Sequence, residues 1–367
     1  DGFFMFSGAK NIFLLFLLGI TINVYAQSNS LIQPKTYTAY KTLEPIIVDG
    51  KVNESIWKNV EWSSNFIDIE GVKKPKYQTN IKMIWDENFF YILANIQEPH
   101  VWANITEKDA VIFHNNDFEV FIDPENDTHN YYELEINALN TVWDLFITKP
   151  YRELNSSAIN DWNISGLKSA IGINGTLNNP TDIDKGWIVE IAIPWSAYKT
   201  SYYQDVVPRD MFWRINFSRV NWEHTIKDGV YSRKKNDDEK YLKEYNWVWS
   251  PQGVVNMHEP EKWGYVFFSS KELGSNSFVI PEDEQIKWEM YNLHRKQNLY
   301  FKKNKKWVLS LNELQENDII IRDKIIKFEL ETHKTGYNLS VISPFTKKEL
   351  VLTCLLYTSD AADEIVR

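Results

Sequence analysis

FHNNDFEVFIDPENDTHNYYELEINALNTVWD, residues 113–144, contains two runs in which apolar and polar side chains alternate. Strict alternation is the period of a strand that buries one of its faces. The two runs are separated by DPENDTHN, residues 123–130, which is rich in turn-forming side chains. The stretch therefore predicts an antiparallel hairpin.

The two faces of this hairpin differ in chemistry. One face is apolar and consists of Phe118, Val120, Ile122, Tyr132, Leu134, Ile136 and Ala138. The other is acidic and aromatic and consists of Asp117, Glu119, Phe121, Asp123, Tyr131, Glu133, Glu135 and Asn137. Like charges that face each other across strands are destabilising. We therefore expect an exposed acidic face whose charge is compensated by a cation, by arginines or by a polyhydroxylated ligand.

Short alternating runs continue on both sides of the hairpin. Between residues 40 and 269 they predict at least nine short strands joined by loops and brief helical turns. The predicted fold class is all-β, an antiparallel β-sandwich of jelly-roll or immunoglobulin-like type. Residues 270–350 combine helical spacing over 283–303 with short apolar runs, which predicts a small C-terminal α+β extension of unknown role. Residues 351–367 do not resemble the rest and are interpreted as a sequence artefact.

The start of the chain has the layout of a secretory signal peptide over residues 1–26. Lys10 precedes an apolar run, a small-residue cleavage site ends at Ala26, and Met5 is interpreted as the true start. A membrane anchor is the alternative, but the run is short for a span of about 20 residues. We expect a secreted or periplasmic protein with a linker over residues 27–39 and no membrane span after signal removal.

Composition narrows the class of partner. The net charge of −10 argues against nucleic acid, since that binding depends on neutralising phosphates. The single cysteine, Cys354, allows no intramolecular disulfide. Aromatic residues make up 15% of the chain, and we expect most of them, including Trp57, Trp85 and Trp213, in the core. Exposed aromatic rings beside carboxylates suit neutral sugars, which offer C–H faces and hydroxyl rims.

Several segments resemble the carbohydrate-binding module family 9-like domains of secreted bacterial proteins, of Bacteroidetes type. The matching segments occur in family order and are VDGKVNESIW (48–57), IKMIWDENFFYILANIQEP (81–99), NNDFEVFIDPENDTHNYYELEINALNTVWD (115–144), GWIVEIAIPW (186–195), FWRINFSRV (212–220) and HEPEKWGYVFF (258–268). The resemblance implies an antiparallel β-sandwich that binds sugars and is often attached to xylanases or other polysaccharide-degrading enzymes. It also implies structural calcium in some relatives.

The resemblance also implies site residues. Better-studied members clamp a terminal sugar between two tryptophans, and the matching positions here are Phe113 and Met257. Glu119 matches the family carboxylate that bonds sugar hydroxyls, and Glu135 stands where an arginine is expected. Trp143, Trp247 and Trp249 are alternative platforms. The predicted carbohydrate-binding residues are Phe113, Glu119, Glu135, Asn137, Arg214, Trp249 and Met257.

Two further interpretations concern the charged residues. Glu119 either bonds sugar hydroxyls or forms an ion pair with Arg214 or Arg219 across the sheet. The turn residues Asp123, Asn126 and Asp127, together with Glu125, either hold calcium, which prefers several oxygens from one loop, or form a solvated turn. Their spacing does not match an EF-hand. No other cofactor is expected.

The predicted function is non-catalytic carbohydrate binding in polysaccharide degradation, with a xylan- or cellulose-type polysaccharide or oligosaccharide as partner. Aromatic stacking and hydroxyl hydrogen bonds from Glu119, Asn137 and Arg214 would carry it. The changed clamp, Phe113 and Met257, favours an alternative, an accessory interaction module without sugar binding. A glycoside hydrolase that uses carboxylates of the hairpin is a further alternative, but fold analogy is no warrant for a catalytic site.

Overall fold

The computed structural model describes residues 32–153, 156–199, 205–275, 278–314 and 318–354, and the backbone of 358–360. The predicted signal peptide lies outside the described residues, as does the linker up to residue 31. In chain order the strands up to residue 269 are β1 (Thr36–Lys41), β2 (Ile67–Asp68), β3 (Thr79–Trp85), β4 (Phe89–Gln97), β5 (Asp117–Asp123), β6 (Tyr131–Asn137), β7 (Val142–Ile147), β8 (Ala158–Ile159), β9 (Lys168–Asn174), β10 (Gly186–Pro194), β11 (Met211–Asn221), β12 (His224–Lys227), β13 (Val230–Arg233), β14 (Tyr245–Val248) and β15 (Gly264–Ser269).

Helices are few in the described residues. The short helix α1 (Ser55–Asn59) carries Trp57 into the protein, as the sequence predicts, and α2 (Glu282–Asn304) follows the sandwich. Single 3₁₀ turns occur at Ile112–His114, Trp195–Tyr198, Pro260–Lys262 and Leu311–Glu313. The strands after α2 are β16 (Ile319–Ile321), β17 (Lys324–Ile326), β18 (Glu329–His333), β19 (Gly336–Ile342), β20 (Glu349–Thr353) and β21 (Thr358–Asp360).

Thirteen of the strands form one curled sheet whose two halves enclose the core, which makes the domain a β-sandwich. The strand order is β8-β7-β6-β5-β11-β15-β1-β3-β4-β10-β9, and β14 pairs with β11 and β2. The apolar faces of β5 and β6 pack in this core against those of β3, β4 and β10. Trp85 and Trp213 also lie in it, as predicted. Alternation in the sequence is thus sufficient to identify the inward face of each long strand.

The sheet is mixed rather than purely antiparallel, which corrects one prediction. Strand β1 runs parallel to both of its neighbours, β15 and β3. It includes Thr36–Ala39, which the sequence analysis places in a linker. Ala39 is fully buried in the core and Tyr37 packs against it. The prediction is wrong because the strand is short and its partners lie far away in the sequence.

The predicted antiparallel hairpin forms, but its acidic face is not exposed. Glu119 lies directly opposite Glu135, and Phe118 opposite Ile136. Every residue of β5 and β6 is buried. The acidic face is covered because a second apolar cluster packs on it, built from Ile69, Phe121, Tyr131, Leu145, Ile147, Val248, Met257 and Trp263. Chain segments distant in sequence therefore enclose the carboxylates.

The C-terminal extension has its own core, as the predicted α+β arrangement requires. Ile286, Met290 and Leu293 of α2 pack against the strands that follow. Leu352 of β20 is fully buried in the same cluster. Residues 351–353 are therefore part of β20, and the interpretation of residues 351–367 as a sequence artefact stays a prediction.

Buried charges attach this extension to the sandwich. Arg214 of β11 donates to Glu284 of α2 at 2.7 Å, and the Tyr265 hydroxyl donates to the same carboxylate at 2.8 Å. Burial alone would raise the pKa of Glu284, but Lys287 and Arg214 hold it at about 2. A second group of charges joins Arg152 and Arg295 to Glu259 and Glu261. The ion pair with Glu284 is sufficient to explain why the charged side chain of Arg214 is buried.

We predict that Glu284→Gln lowers the free energy of unfolding by about 3 to 5 kcal/mol, since it leaves the Arg214 guanidinium buried without its charged partner. The contribution is present above pH of about 4.5 and is lost as the pH falls towards the folded pKa of about 2. Urea unfolding at pH 7 and pH 3 measures both. Glu239→Gln removes an exposed ion pair and is the matched control. Equal stability of the two variants would contradict the prediction.

The indole of Trp249 packs against Gly264 and occupies the space that a side chain at this position would need. A Cβ atom built on Gly264 would lie 2.3 Å from Cζ3 of Trp249. We predict that Gly264→Ala lowers the free energy of unfolding by about 1 to 3 kcal/mol, because overpacking displaces the indole. Thermal unfolding with tryptophan fluorescence tests this. An unchanged melting temperature and spectrum would mean that the indole is not fixed there.

Candidate functional site

A row of polar and aromatic side chains crosses the sandwich on the face opposite its main core. The row runs from Ser218 of β11 through Glu119 of β5 and Glu135 of β6 to Trp143 of β7, and each pair lies in direct register. Residues two apart on a strand share a face, so Asp117 and Glu133 flank this row. The strand register and the alternation of side chains together therefore bring four carboxylates onto one face.

These four carboxylates are buried and lack cationic partners. Asp117, Glu119, Glu133 and Glu135 are at most 5% exposed. In the described part of the chain no ion pair reaches them. The two arginines proposed as partners bind elsewhere: Arg214 contacts Glu284, and Arg219 donates to Glu98 at 2.6 Å. The ion-pair interpretation of Glu119 is therefore wrong.

Burial and mutual repulsion change the acidity of the group. Burial raises the pKa of Glu119 to about 7. It also raises the pKa of Asp117, Glu133 and Glu135 well above the usual range, and the neighbouring carboxylates raise those values further. A group of acids that cannot ionise together needs protons, hydroxyl donors or a cation between them.

Several polar atoms on this face have no hydrogen-bond partner. They are Oδ2 of Asp117, Oε2 of Glu119, Oγ of Ser218 and Nε1 of Trp143. Buried polar atoms are nearly always paired, so each such atom calls for an explanation. The face therefore offers two carboxyl oxygens, a hydroxyl and an indole N–H, which suits a ligand that carries both hydrogen-bond donors and hydrogen-bond acceptors.

An aromatic pair lies at the end of the row. The rings of Phe113 and Trp143 stack at 6.4 Å between centroids with an interplanar angle of 23°, and both residues are half-buried. The backbone N–H of Phe113 donates to Oε2 of Glu135 at 2.9 Å. This bond fixes the position of Phe113 beside the carboxylates. The alternative platform Trp143 is thus adjacent to the predicted residues Phe113, Glu119 and Glu135.

The other predicted sugar contacts are used by the protein itself. Asn137 donates to the carbonyl of Ile105, and its Oδ1 accepts from Leu139 N and Thr141 N. Arg214 is fully buried against the C-terminal extension. The local turn and α2 thus satisfy the groups of Asn137 and Arg214 that would have met a hydroxyl, and their role in sugar binding stays a prediction.

The remaining predicted aromatic and clamp positions are also enclosed. Trp249 is 1% exposed in the main core, so it presents no ring face to a ligand. Trp247 is buried, with the Arg219 guanidinium 5.0 Å from its ring. Met257 is 8% exposed and packs with Trp263, whose Nε1 donates to the Met257 carbonyl. Met257 therefore has little exposed surface to offer as one side of a clamp, and its role in sugar binding stays a prediction.

Sequence reasoning did not select Asp117 or Ser218 as site residues. Their signal is present in the sequence, because Asp117 lies on the acidic face of the first run and Ser218 lies on the polar face of the alternating run that forms β11. Neither residue type indicates a site by itself. Asp117 and Ser218 become candidate site residues only because the strand register places them beside Glu119.

The predicted calcium turn is stabilised by its own backbone. Asp123 accepts from Asn126 N and Thr128 N, both at 2.9 Å, and Asp127 accepts from His129 N at 2.8 Å. Burial raises the pKa of Asp127 to about 6. Within the described ranges, the grouping of three carboxylates close enough to share an ion is Asp117, Glu119 and Glu135 rather than this turn.

No helix within the described ranges has the length and apolar character needed to cross a membrane.

Comparison with solved structures gives, among others, two matches of low similarity. A putative carbohydrate-binding protein from Bacteroides uniformis covers 64% of this chain and 99% of its own, with 17% identity and a TM-score of 0.46. A carbohydrate binding module family 9 from Caldicellulosiruptor kristjanssonii in complex with cellotriose covers 67% and 100%, with 15% identity and a TM-score of 0.41.

Curated relatives match a smaller region. Endo-1,4-beta-xylanase A of Thermoanaerobacterium saccharolyticum is 29% identical over 155 residues, which are 42% of this chain and 11% of the xylanase. Exoglucanase XynX of Acetivibrio thermocellus is 26% identical over 151 residues, 41% of this chain and 12% of that enzyme. The aligned region is thus about one ninth of the length of these relatives.

A family model covers more of the chain than any of these alignments to curated relatives. The model of the carbohydrate family 9 binding domain-like family matches residues 48–269, which include the hairpin, the row of Glu119 and Glu135 and the last strand of the sandwich. The matched region exceeds half of the 367 residues, and the chain therefore belongs to the carbohydrate family 9 binding domain-like family.

Proposed function

We propose that residues 48–269 bind carbohydrate without cleaving it. The family match carries this proposal, since it assigns the sandwich to a family of binding domains. The alignments to a xylanase and an exoglucanase cover only 11% and 12% of those enzymes. Catalysis in a polysaccharide-degrading system would then be supplied by another domain or protein.

The stacked rings of Phe113 and Trp143 are the proposed platform. An aromatic face packs against the C–H face of a sugar ring, and both rings are half-buried rather than enclosed in the core. The unpaired Nε1 of Trp143 offers a hydrogen bond to a hydroxyl oxygen. Carboxyl oxygens of Glu135 and Glu119 accept hydrogen bonds from sugar hydroxyls.

The proposed ligands are oligosaccharides of β-linked xylose or glucose, that is, of xylan or cellulose type. This choice follows the names of the aligned relatives, two of which are a xylanase and an exoglucanase. Secretion or export to the periplasm is part of the same proposal, because polysaccharides such as xylan and cellulose occur outside the cytoplasm. The signal-peptide layout of residues 1–26 supports it.

One observation favours a second candidate, an interaction module that does not bind sugar. The carboxylates of the row are at most 5% exposed, and Met257 fills the place of a clamp residue. Such a domain would use its surface, including the C-terminal extension, to contact another protein.

We predict that Trp143→Ala and Phe113→Ala each weaken binding of cello- or xylo-oligosaccharides by at least about tenfold, which corresponds to about 1.4 kcal/mol. Trp143→Phe keeps a ring but removes the indole N–H, so its loss should be smaller. Isothermal titration calorimetry measures the affinities, and thermal unfolding verifies that each variant is folded.

Trp62→Ala is the matched control. Trp62 is 40% exposed and lies beside Lys82 of β3, in the other half of the sheet. Its loss should leave the affinity unchanged. Binding that depends on Trp62 and not on Trp143 would move the site to that surface. Failure of the wild-type chain to bind any oligosaccharide of either series would favour the interaction module.

A further inference from the structure

A concavity lies in the C-terminal extension, outside the family-matched residues 48–269. Its walls come from the end of α2, from the segment that follows α2 and from the turn between β18 and β19. Its volume of about 330 Å³ lies at the lower end of the range typical of small-ligand sites. The extension therefore offers a binding space that the proposed sugar platform on the sandwich does not use.

Aromatic rings form one wall of this concavity. Phe301 and Trp307 stack with their centroids 4.1 Å apart and an interplanar angle of 22°. The ring of Tyr337 meets Trp307 edge-on at 5.1 Å between centroids, and Tyr337 is buried in the core of the extension. The core thus holds the pair in place, while Phe301 and Trp307 stay half-buried. Such rings suit the C–H groups of a sugar ring.

Three exposed lysines, Lys305, Lys306 and Lys334, also line the concavity. Within the described ranges, none of them forms an ion pair. The helix dipole favours lysines in the last turn of α2, but Lys306 lies beyond the end of α2 and Lys334 lies in the turn of a separate hairpin. Stabilisation of the helix therefore does not explain why these charges converge.

The acidic residue that lines the concavity, Glu313, is already bound by other donors. Its Oε1 accepts from Leu309 N at 3.2 Å and from Ser310 N at 3.3 Å, and its Oε2 accepts from the Tyr300 hydroxyl at 3.3 Å. These bonds hold the carboxylate in the wall. One carboxylate among three lysines leaves the concavity positively charged, although the net charge of the chain is −10.

We propose that this concavity binds an acidic polysaccharide, with uronic acid carboxylates on the lysines and sugar C–H groups on the aromatic wall. Lysine ammonium groups donate charge-assisted hydrogen bonds to carboxylates. A saccharide fits better than nucleic acid, because nucleic acid binding depends on neutralising many phosphates and three lysines neutralise few. It also fits better than a membrane surface, because the rings line a concavity instead of projecting from an amphipathic face.

The charge recognition is tested with two ligands that share the same rings. Isothermal titration calorimetry of the full chain compares an oligogalacturonate with its methyl ester, which lacks the negative charges. The free acid should bind at least about fivefold more tightly than the ester, because only the acid forms ion pairs with the lysines. Raising the ionic strength should weaken binding of the acid, since exposed ion pairs are screened by salt.

A double variant locates the binding. Lys306→Gln combined with Lys334→Gln should weaken binding of the free acid by at least about fivefold and leave the melting temperature unchanged, because both side chains are exposed. Lys73→Gln combined with Lys74→Gln removes two exposed charges from the loop between β2 and β3 and is the matched control. The control should bind the free acid as the wild type does.

Three results would overturn the proposal: no binding of the free acid, equal affinity for the acid and its ester, or equal losses in the two double variants. Vesicles of phosphatidylcholine and phosphatidylglycerol test the membrane alternative. Binding to these vesicles without binding to the oligogalacturonate would assign the lysines and Leu309, which is 79% exposed, to a lipid surface. Titration with cello-oligosaccharides reports on the sandwich platform separately, so failure of the proposed function would leave the result at the lysines interpretable.

Discussion

Glu119 and Glu135 lie directly opposite each other on two strands that are buried on both faces. A like-charged pair in this position is costly in the interior, and slipping the register by one residue would turn the core face of the hairpin outward. The apolar alternation therefore fixes the carboxylates where they repel each other. Whatever neutralises them must come from outside the hairpin.

The arginines nearest in the sheet do not serve this purpose. Arg214 joins the sandwich to α2 through Glu284, and Arg219 joins β11 to the end of β4 through Glu98. Each arginine thus contributes to the assembly of the domain rather than to a ligand site. The polar face keeps unpaired oxygens and one unpaired indole N–H, and the half-buried rings of Phe113 and Trp143 lie at its end.

Local patterns in the sequence are sufficient to predict the hairpin, the core face of the strands, the burial of Trp57 and the small C-terminal fold. They failed where a partner is distant in sequence. The acidic face is covered by Val248, Met257 and Trp263, and no alternation in residues 113–144 encodes that cover. The prediction that Arg214 contacts a ligand likewise does not account for Glu284, because this partner belongs to another part of the chain. The sequence does not distinguish Trp249, which is buried in the core, from an exposed platform, because exposure cannot be deduced from residue type.

Strand β1 has a consequence for the order in which the protein can form. Residue 36 pairs with residue 265, and β1 lies between β15 and β3 in the middle of the sheet. During synthesis, β1 cannot pair with β15 until residues 264–269 have been made, so the two halves of the sheet are joined only late. Pairings of such long range make folding slow and leave strand edges open in the meantime. Until β15 is available, these open edges are exposed to pairing with other chains.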